Sequence, residues 1–327
     1  MTATDGLVPA ATSTGAEGWG LRPVRDPDAE ALVRQFVAAG GPLLSERGVA
    51  GARAYLEQSA AAGAPGPHVE RVEDRRIDVD GRTVPVRVHA PASEAPLPTV
   101  VYCHGGGFVI GSVAASDAFA RRLAVAGPCV VVSVDYRLAP EHPFPAGIED
   151  AVAALDWTAE HAGELGGDPG RVVALGDSAG ATLTAAAVRR VTAAGRRPVR
   201  RQVLAYPGAG VDRARTTAFG GEWPLTDVDS AWFAAQYLPE PSMRSDPDSA
   251  LLTADVTGVP PTTLLLGGCD PLMPEGLAYA AHLTNAGVSV DLHLYAGQIH
   301  GFLTFPDTAL PRSREALGVV TNAIRNA

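Results

Sequence analysis

RVVALGDSAGATLTAAAVRRV, residues 171–191, changes period halfway along. RVVAL is a continuous apolar, β-branched run of the kind found in strands buried on both faces. AGATLTAAAVRRV has helical composition. At the junction stands GDSAG, a serine between two glycines. The string GxSxG also arises by chance wherever small residues make a turn. A strand before it and a helix after it are the context of a nucleophile elbow. Such a turn is sharp and strained, and only small neighbours tolerate it. It would lift the Ser178 hydroxyl above the C-terminal edge of a sheet, where ligands bind in open α/β folds. The helix N-terminus behind it favours developing negative charge.

The flanking sequence supplies the sheet. Apolar strands are predicted over 99–103, 129–134, 171–175, 202–205, 262–266 and 290–294. Helical patterns alternate with them over 115–126, 146–162, 179–193, 275–286 and 313–324. Continuous Val/Ile/Leu strands separated by helices predict a mostly parallel central sheet covered by helices on both faces. Ahead of these, a period-two segment with Asp80-Gly81 at its centre reads as a hairpin. Apolar residues at helical spacing between Asp26 and Ala62 predict two or three helices. One interval breaks the rhythm: 208–240 has no strand but carries Trp223, Trp232, Phe233 and Tyr237. It is expected to fold over the sheet and join the N-terminal helices as a helical cap. The resulting division is a disordered tail at 1–24, a helical cap segment at 25–68, and a catalytic domain at 69–327 with the cap insertion inside it.

Bulk properties narrow the function. The 327 residues are 46% hydrophobic, enough for a large core, and the net charge of −10 argues against a nucleic-acid partner. No apolar run reaches the ~20 residues of a membrane span, and no secretory signal pattern opens the chain. Cys103, Cys129 and Cys269 have no metal-ligand spacing, and the first two sit in apolar runs. They read as buried free thiols in a reducing cytoplasm.

A serine hydroxyl is a weak nucleophile until a base takes its proton. In an elbow fold the order along the chain is nucleophile, acid, histidine. Three histidines follow Ser178: His282 in mid-helix, His293 within a strand, and His300 after a segment (295–299) read as a loop leaving the last strand. A loop at a strand's C-terminal end can reach the elbow, so His300 is the candidate base. The orienting acid should also follow a strand. Asp270 follows TTLLLGGC, whereas Glu275 opens the next helix and reads as a partner of its dipole. Acyl transfer further needs donors for the oxyanion. His104-Gly105-Gly106-Gly107 follows the strand TVVYC, and consecutive glycines let N–H groups approach a ligand. The expected donors are Gly106, Gly107 and Ala179, with His104 and Gly105 supporting the loop. Phe108, Trp223, Phe233 and Tyr237 are candidate pocket residues. No metal and no cofactor is called for.

Together these residues resemble the hormone-sensitive lipase-like family, the bacterial family IV esterases of the α/β-hydrolase fold. The resemblance rests on VYCHGGGFVIGS, VVSVDYRLAPEHPFPAGIEDA, RVVALGDSAG, CDPLMPEG and IHGF. VDYRLAPEHPFPA is the most specific, because no generic folding rule requires it. The chain departs from the family at Met273-Pro274 and at Ala181-Thr182. The resemblance implies hydrolysis of small-molecule esters of short to medium acyl chain, without cofactor, often as a homodimer. The same residues would serve a lactone, carbamate, aryl formamide or acylated natural product. A non-catalytic small-molecule binder on the same scaffold is the reading from a different class.

Overall fold

The structure is a computed structural model and describes residues 24–210 and 223–327. The tail expected at 1–24, Val24 excepted, lies outside the described residues, as does the 211–222 part of the expected cap insertion.

Eight strands form one sheet in the order β1-β2-β4-β3-β5-β6-β7-β8. These are β1 (Arg71–Val79), β2 (Arg82–Ala90), β3 (Leu97–Cys103), β4 (Val130–Val134), β5 (Gly167–Asp177), β6 (Arg201–Ala205), β7 (Thr262–Cys269) and β8 (Val290–Ile299). β1 and β2 are the expected hairpin; Asp80 and Gly81 both take positive φ (48° and 75°), as a two-residue hairpin turn of matching twist requires. β2 meets β4 antiparallel, and every later pairing is parallel.

The continuous apolar runs bury both faces. Val101 and Cys103 of β3 join one core with α4 (Ala146–His161), α5 (Ala179–Ala193) and α7 (Met273–Asn285). Val100 and Tyr102 join the other with α3 (Asp117–Ala126) and α8 (Arg312–Arg325). All three cysteines are free and buried, and burial pushes the Cys103 and Cys129 thiols up to about 12.

The strand order reverses at β3. The chain leaves β3 for β4 on one side and then returns to β5 on the other, so connections depart in opposite directions and leave a crevice above the two strand ends. α2 (Leu44–Ala62) and α6 (Asp227–Tyr237) border this crevice, while α1 (Pro27–Ala39) lies against β8. Thr226 caps α6 by accepting the Asp229 N–H at 3.0 Å, and Asp229 in turn accepts the Ser45 N–H of α2 at 2.8 Å. Arg53 of α2 donates to the carbonyls of Val109 (2.8 Å) and Ala139 (3.0 Å) and forks onto Glu141. α2 is thereby tied to the loop after β3.

Among the boundaries that differ from the sequence reading, two bear on the site. Residues 295–299 continue β8 rather than leaving it as a loop, because a bulge at Gly267/Cys269 lets β7 keep pairing as far as Ile299. α7 begins at Met273, two residues early, with Pro274 in its first turn.

Candidate active site

Ser178 sits between β5 and α5 with φ 54° and ψ −124°, a strained conformation for a residue with a side chain. Packing over-determines it. The Ser178 N–H is held by the Ala205 carbonyl at 2.9 Å. A Cβ on Gly180 would fall onto the Cys103 carbonyl, and one on Gly176 onto that of Gly180. The glycines of GDSAG therefore reflect how closely β3 and α5 pass the turn.

Cys269 pairs with Ile299 across β7 and β8, so the next residues of each strand, Asp270 and His300, emerge side by side. Asp270 Oδ2 accepts from His300 Nδ1 at 2.7 Å, and Asp270 Oδ1 accepts the Leu272 N–H at 2.8 Å. With its Nδ1 proton committed to a carboxylate, the imidazole presents Nε2 as an acceptor. That nitrogen lies 2.8 Å from Ser178 Oγ. The Tyr206 ring stands edge-on to the imidazole, with centroids 4.9 Å apart. The other two histidines go elsewhere: His282 bonds the Ala254 carbonyl (2.7 Å) and His293 faces Asp291 (3.1 Å).

The glycine loop borders the same crevice, since Cys103 of β3 is level with Gly176 of β5. Gly105, Gly106, Gly107 and Ala179 all line a cavity of about 1170 Å³ that also contains Ser178 and His300. His104 is buried, stacks on Tyr136 at 4.5 Å, and donates from Nδ1 to the Gly105 carbonyl (2.7 Å). The Tyr136 hydroxyl donates to the His104 carbonyl at 2.7 Å. This gives part of VDYRLAPEHPFPAGIED a physical account: Tyr136 supports the glycine loop, while Arg137 binds buried Asp150. Gly106 has φ 125°, and a Cβ there would fall onto the Ile110 carbonyl. Gly106→Val is expected to lower kcat by ~10²–10³, the loss typical of one oxyanion donor. A folded Gly106→Val enzyme with normal kcat would move the oxyanion hole elsewhere.

Burial pushes the His104 imidazole below its ordinary range, and it does the same to His89. Burial thus favours the neutral form of both in the fold. In the unfolded chain they take up protons as pH falls below about 6.5, so stability is lost on acidification and is unchanged by these groups above that value. Melting temperature should fall between pH 7 and pH 5.5, less steeply in His104→Gln; an equal slope would place the linked protons on other groups.

Phe108 (φ 66°) stacks on Tyr237 of α6 at 3.8 Å, and both line the cavity with Phe233, Leu225 and Leu272. Trp223 does not line it. Its ring stacks on Phe36 of α1 at 4.4 Å and meets Phe305 edge-on, because α1 offers an apolar partner that the sequence reading did not supply. Glu275 also has more to do than face a helix dipole. It does lie in the first turn of α7, but its Oε2 accepts the N–H groups of Ala209 (2.9 Å) and Gly210 (2.8 Å), anchoring the chain after β6. Leu225 and Leu272 were not singled out from sequence, since no local pattern separates a pocket leucine from a core one; Thr182, named there only as a departure from the family, also lines the cavity.

Among the described residues no helix is long and apolar enough to cross a membrane. A family model described as alpha/beta hydrolase fold matches residues 100–304. The chain is 39% identical over 317 residues to carboxylesterase NlhH of Mycobacterium tuberculosis, covering 94% of this chain and 97% of that protein. It is 33% identical over 281 residues to the ethyl acetate hydrolase of Pseudomonas putida, covering 84% and 88%. Among solved structures, the esterase of Pyrobaculum calidifontis superposes with a TM-score of 0.83 at 36% identity, covering 92% of this chain and 98% of that one.

Proposed function

From the premise that this chain belongs to the hormone-sensitive lipase-like (bacterial family IV) carboxylesterases of the alpha/beta hydrolase fold, we propose that it cleaves esters of short to medium acyl chain through a Ser178–His300–Asp270 triad. In this reading Ser178 Oγ attacks the ester carbonyl and His300 Nε2 takes its proton. Asp270 holds the tautomer and stabilises the imidazolium. His300 then protonates the leaving alcohol, and a water activated by His300 releases the acid from the acyl-enzyme. N–H groups of Gly106, Gly107 and Ala179 receive the oxyanion. The observation that carries the reading is the unbroken hydrogen-bond chain from Ser178 through His300 to Asp270, opening into a cavity with an apolar wall. The relative named for ethyl acetate supports a short acyl group.

The test is turnover of p-nitrophenyl esters from acetate to laurate. Activity should be highest on the shorter chains, and a protein that hydrolyses none of them overturns the proposal. Phe233→Ala is expected to shift preference along that series at least threefold, because its ring lies against the glycine loop. Trp223→Ala should lower the melting temperature and leave the preference unchanged. The reverse pattern would mean the cavity wall lies elsewhere.

Three free buried thiols support the cytoplasm as the proposed site of action. A homodimer is also proposed, supported by Leu292 (41% exposed) and Leu294 (50%) on edge strand β8. A monomer mass in sedimentation equilibrium would exclude it.

A further inference from the structure

One buried carboxyl at the site has no task in the mechanism above. Asp177 directly precedes Ser178, is 6% exposed and lines the cavity. Its Oδ1 accepts two bonds, from the Gly105 N–H at 3.0 Å and from the Tyr102 hydroxyl at 2.7 Å. Tyr102 is level with Leu175, and Cys103 with Gly176, across β3 and β5. The carboxyl therefore reaches from the strand that carries the nucleophile to the strand that carries the glycine loop. A Cβ on Gly105 would stand 2.5 Å from Asp177 Oδ2, so the loop lies against the carboxyl with no room for a side chain. Burial pushes the Asp177 carboxyl above the usual carboxylate range. Oδ1 can accept in either protonation state, because a proton would occupy Oδ2.

We propose that Asp177 is a positioning residue for the oxyanion hole, its Oδ1 pinning the Gly105 peptide so that the following N–H groups face the carbonyl attacked by Ser178. The proposal rests on the acyl-transfer reading. Oxyanion donors help only if they are aimed before the charge develops. Three consecutive glycines have the greatest backbone freedom of any tripeptide, so an unpinned loop spreads over conformations in which the donors point elsewhere. The loss should then fall on kcat rather than on KM, since these donors act mainly in the transition state. A residue that only filled space would lower stability and leave kcat per folded active site unchanged.

The experiment compares wild type, Asp177→Ala, Asp177→Asn and Ser178→Ala on p-nitrophenyl acetate and p-nitrophenyl hexanoate, with folded sites counted by circular dichroism and melting temperature. Asp177→Ala is expected to lower kcat by about 10- to 100-fold, below the loss of a whole donor, by the same factor on both esters and with KM within about twofold. Asp177→Asn, whose amide oxygen can take both bonds, should return kcat to within about threefold of wild type. Wild-type kcat in a folded Asp177→Ala protein overturns the proposal, as does a loss confined to KM. So does an Asp177→Asn as impaired as the alanine variant. If Asp177→Ala does not fold, Gly105→Ala carries the test: it presses on Oδ2 and should lower kcat alone, and unchanged kcat there rejects the pin. The two failures are distinguishable. A Ser178→Ala protein that still hydrolyses ester overturns acyl transfer through Ser178, whereas an inert Ser178→Ala beside an undamaged Asp177→Ala rejects only the role of Asp177.

Discussion

Ser178→Ala should lower ester turnover by about 10⁶-fold, the scale seen when a serine hydrolase loses its nucleophile. The fold should survive the change. The strained backbone at φ 54° is imposed by the pairing of Ser178 N–H with Ala205 and by the close passage of β3, not by the hydroxyl. Alanine occupies the same space and meets the same strain. The hydroxyl's one side-chain bond is to His300, which keeps its second partner in Asp270. Melting temperature should therefore stay within a few degrees, because one partly buried hydrogen bond contributes only about 0.5–1.5 kcal/mol. Mapping the site labelled by a fluorophosphonate gives an independent check. Label on another serine, or near-wild-type turnover in the alanine variant, would remove Ser178 from the mechanism.

Asp270→Asn is the second large effect, expected at about 10⁴-fold in kcat, the loss that follows in a serine protease when an amide stabilises the wrong tautomer. An asparagine amide can donate to Nδ1, which would put the proton on Nε2 and leave Ser178 facing a donor instead of an acceptor. The Leu272 N–H already holds Asp270 Oδ1 at 2.8 Å, which favours the amide nitrogen at the histidine side. Glu275→Gln should cost far less. Its remaining oxygen can still accept the N–H groups of Ala209 and Gly210. Measured on one ester, the two variants form a direct comparison. A crippling Glu275→Gln beside a mild Asp270→Asn would reassign the orienting acid.

What the sequence alone determined were the features with a period or a fixed order. The alternation of continuous apolar runs with helices required a parallel sheet covered on both faces. GDSAG between strand and helix located the turn, and His104-Gly105-Gly106-Gly107 after the preceding strand located the glycine loop. Nucleophile-acid-base order, with the requirement that each follow a strand, offered Asp270 and His300 as the candidate acid and base, and the fold brings both beside Ser178. The periodic signals are local, because hydrogen bonding and burial repeat every two or 3.6 residues along the chain, and the order of the three groups needs no knowledge of which strands pair.

The tertiary structure decided whatever depends on which distant surfaces meet. Trp223 and Phe233 look alike in sequence, both aromatic in an interval without strands. Only the docking of α1 makes one a packing residue, while the other meets the glycine loop. Glu275 has the local signature of a helix-dipole partner, and its bonds to Ala209 and Gly210 span some 65 residues. Asp177 was in view within GDSAG from the start. Its two donors come from 72 and 75 residues away, brought level by the β3–β5 register. A side chain's partners across a sheet are fixed by strand order and register, and neither has a local period to read.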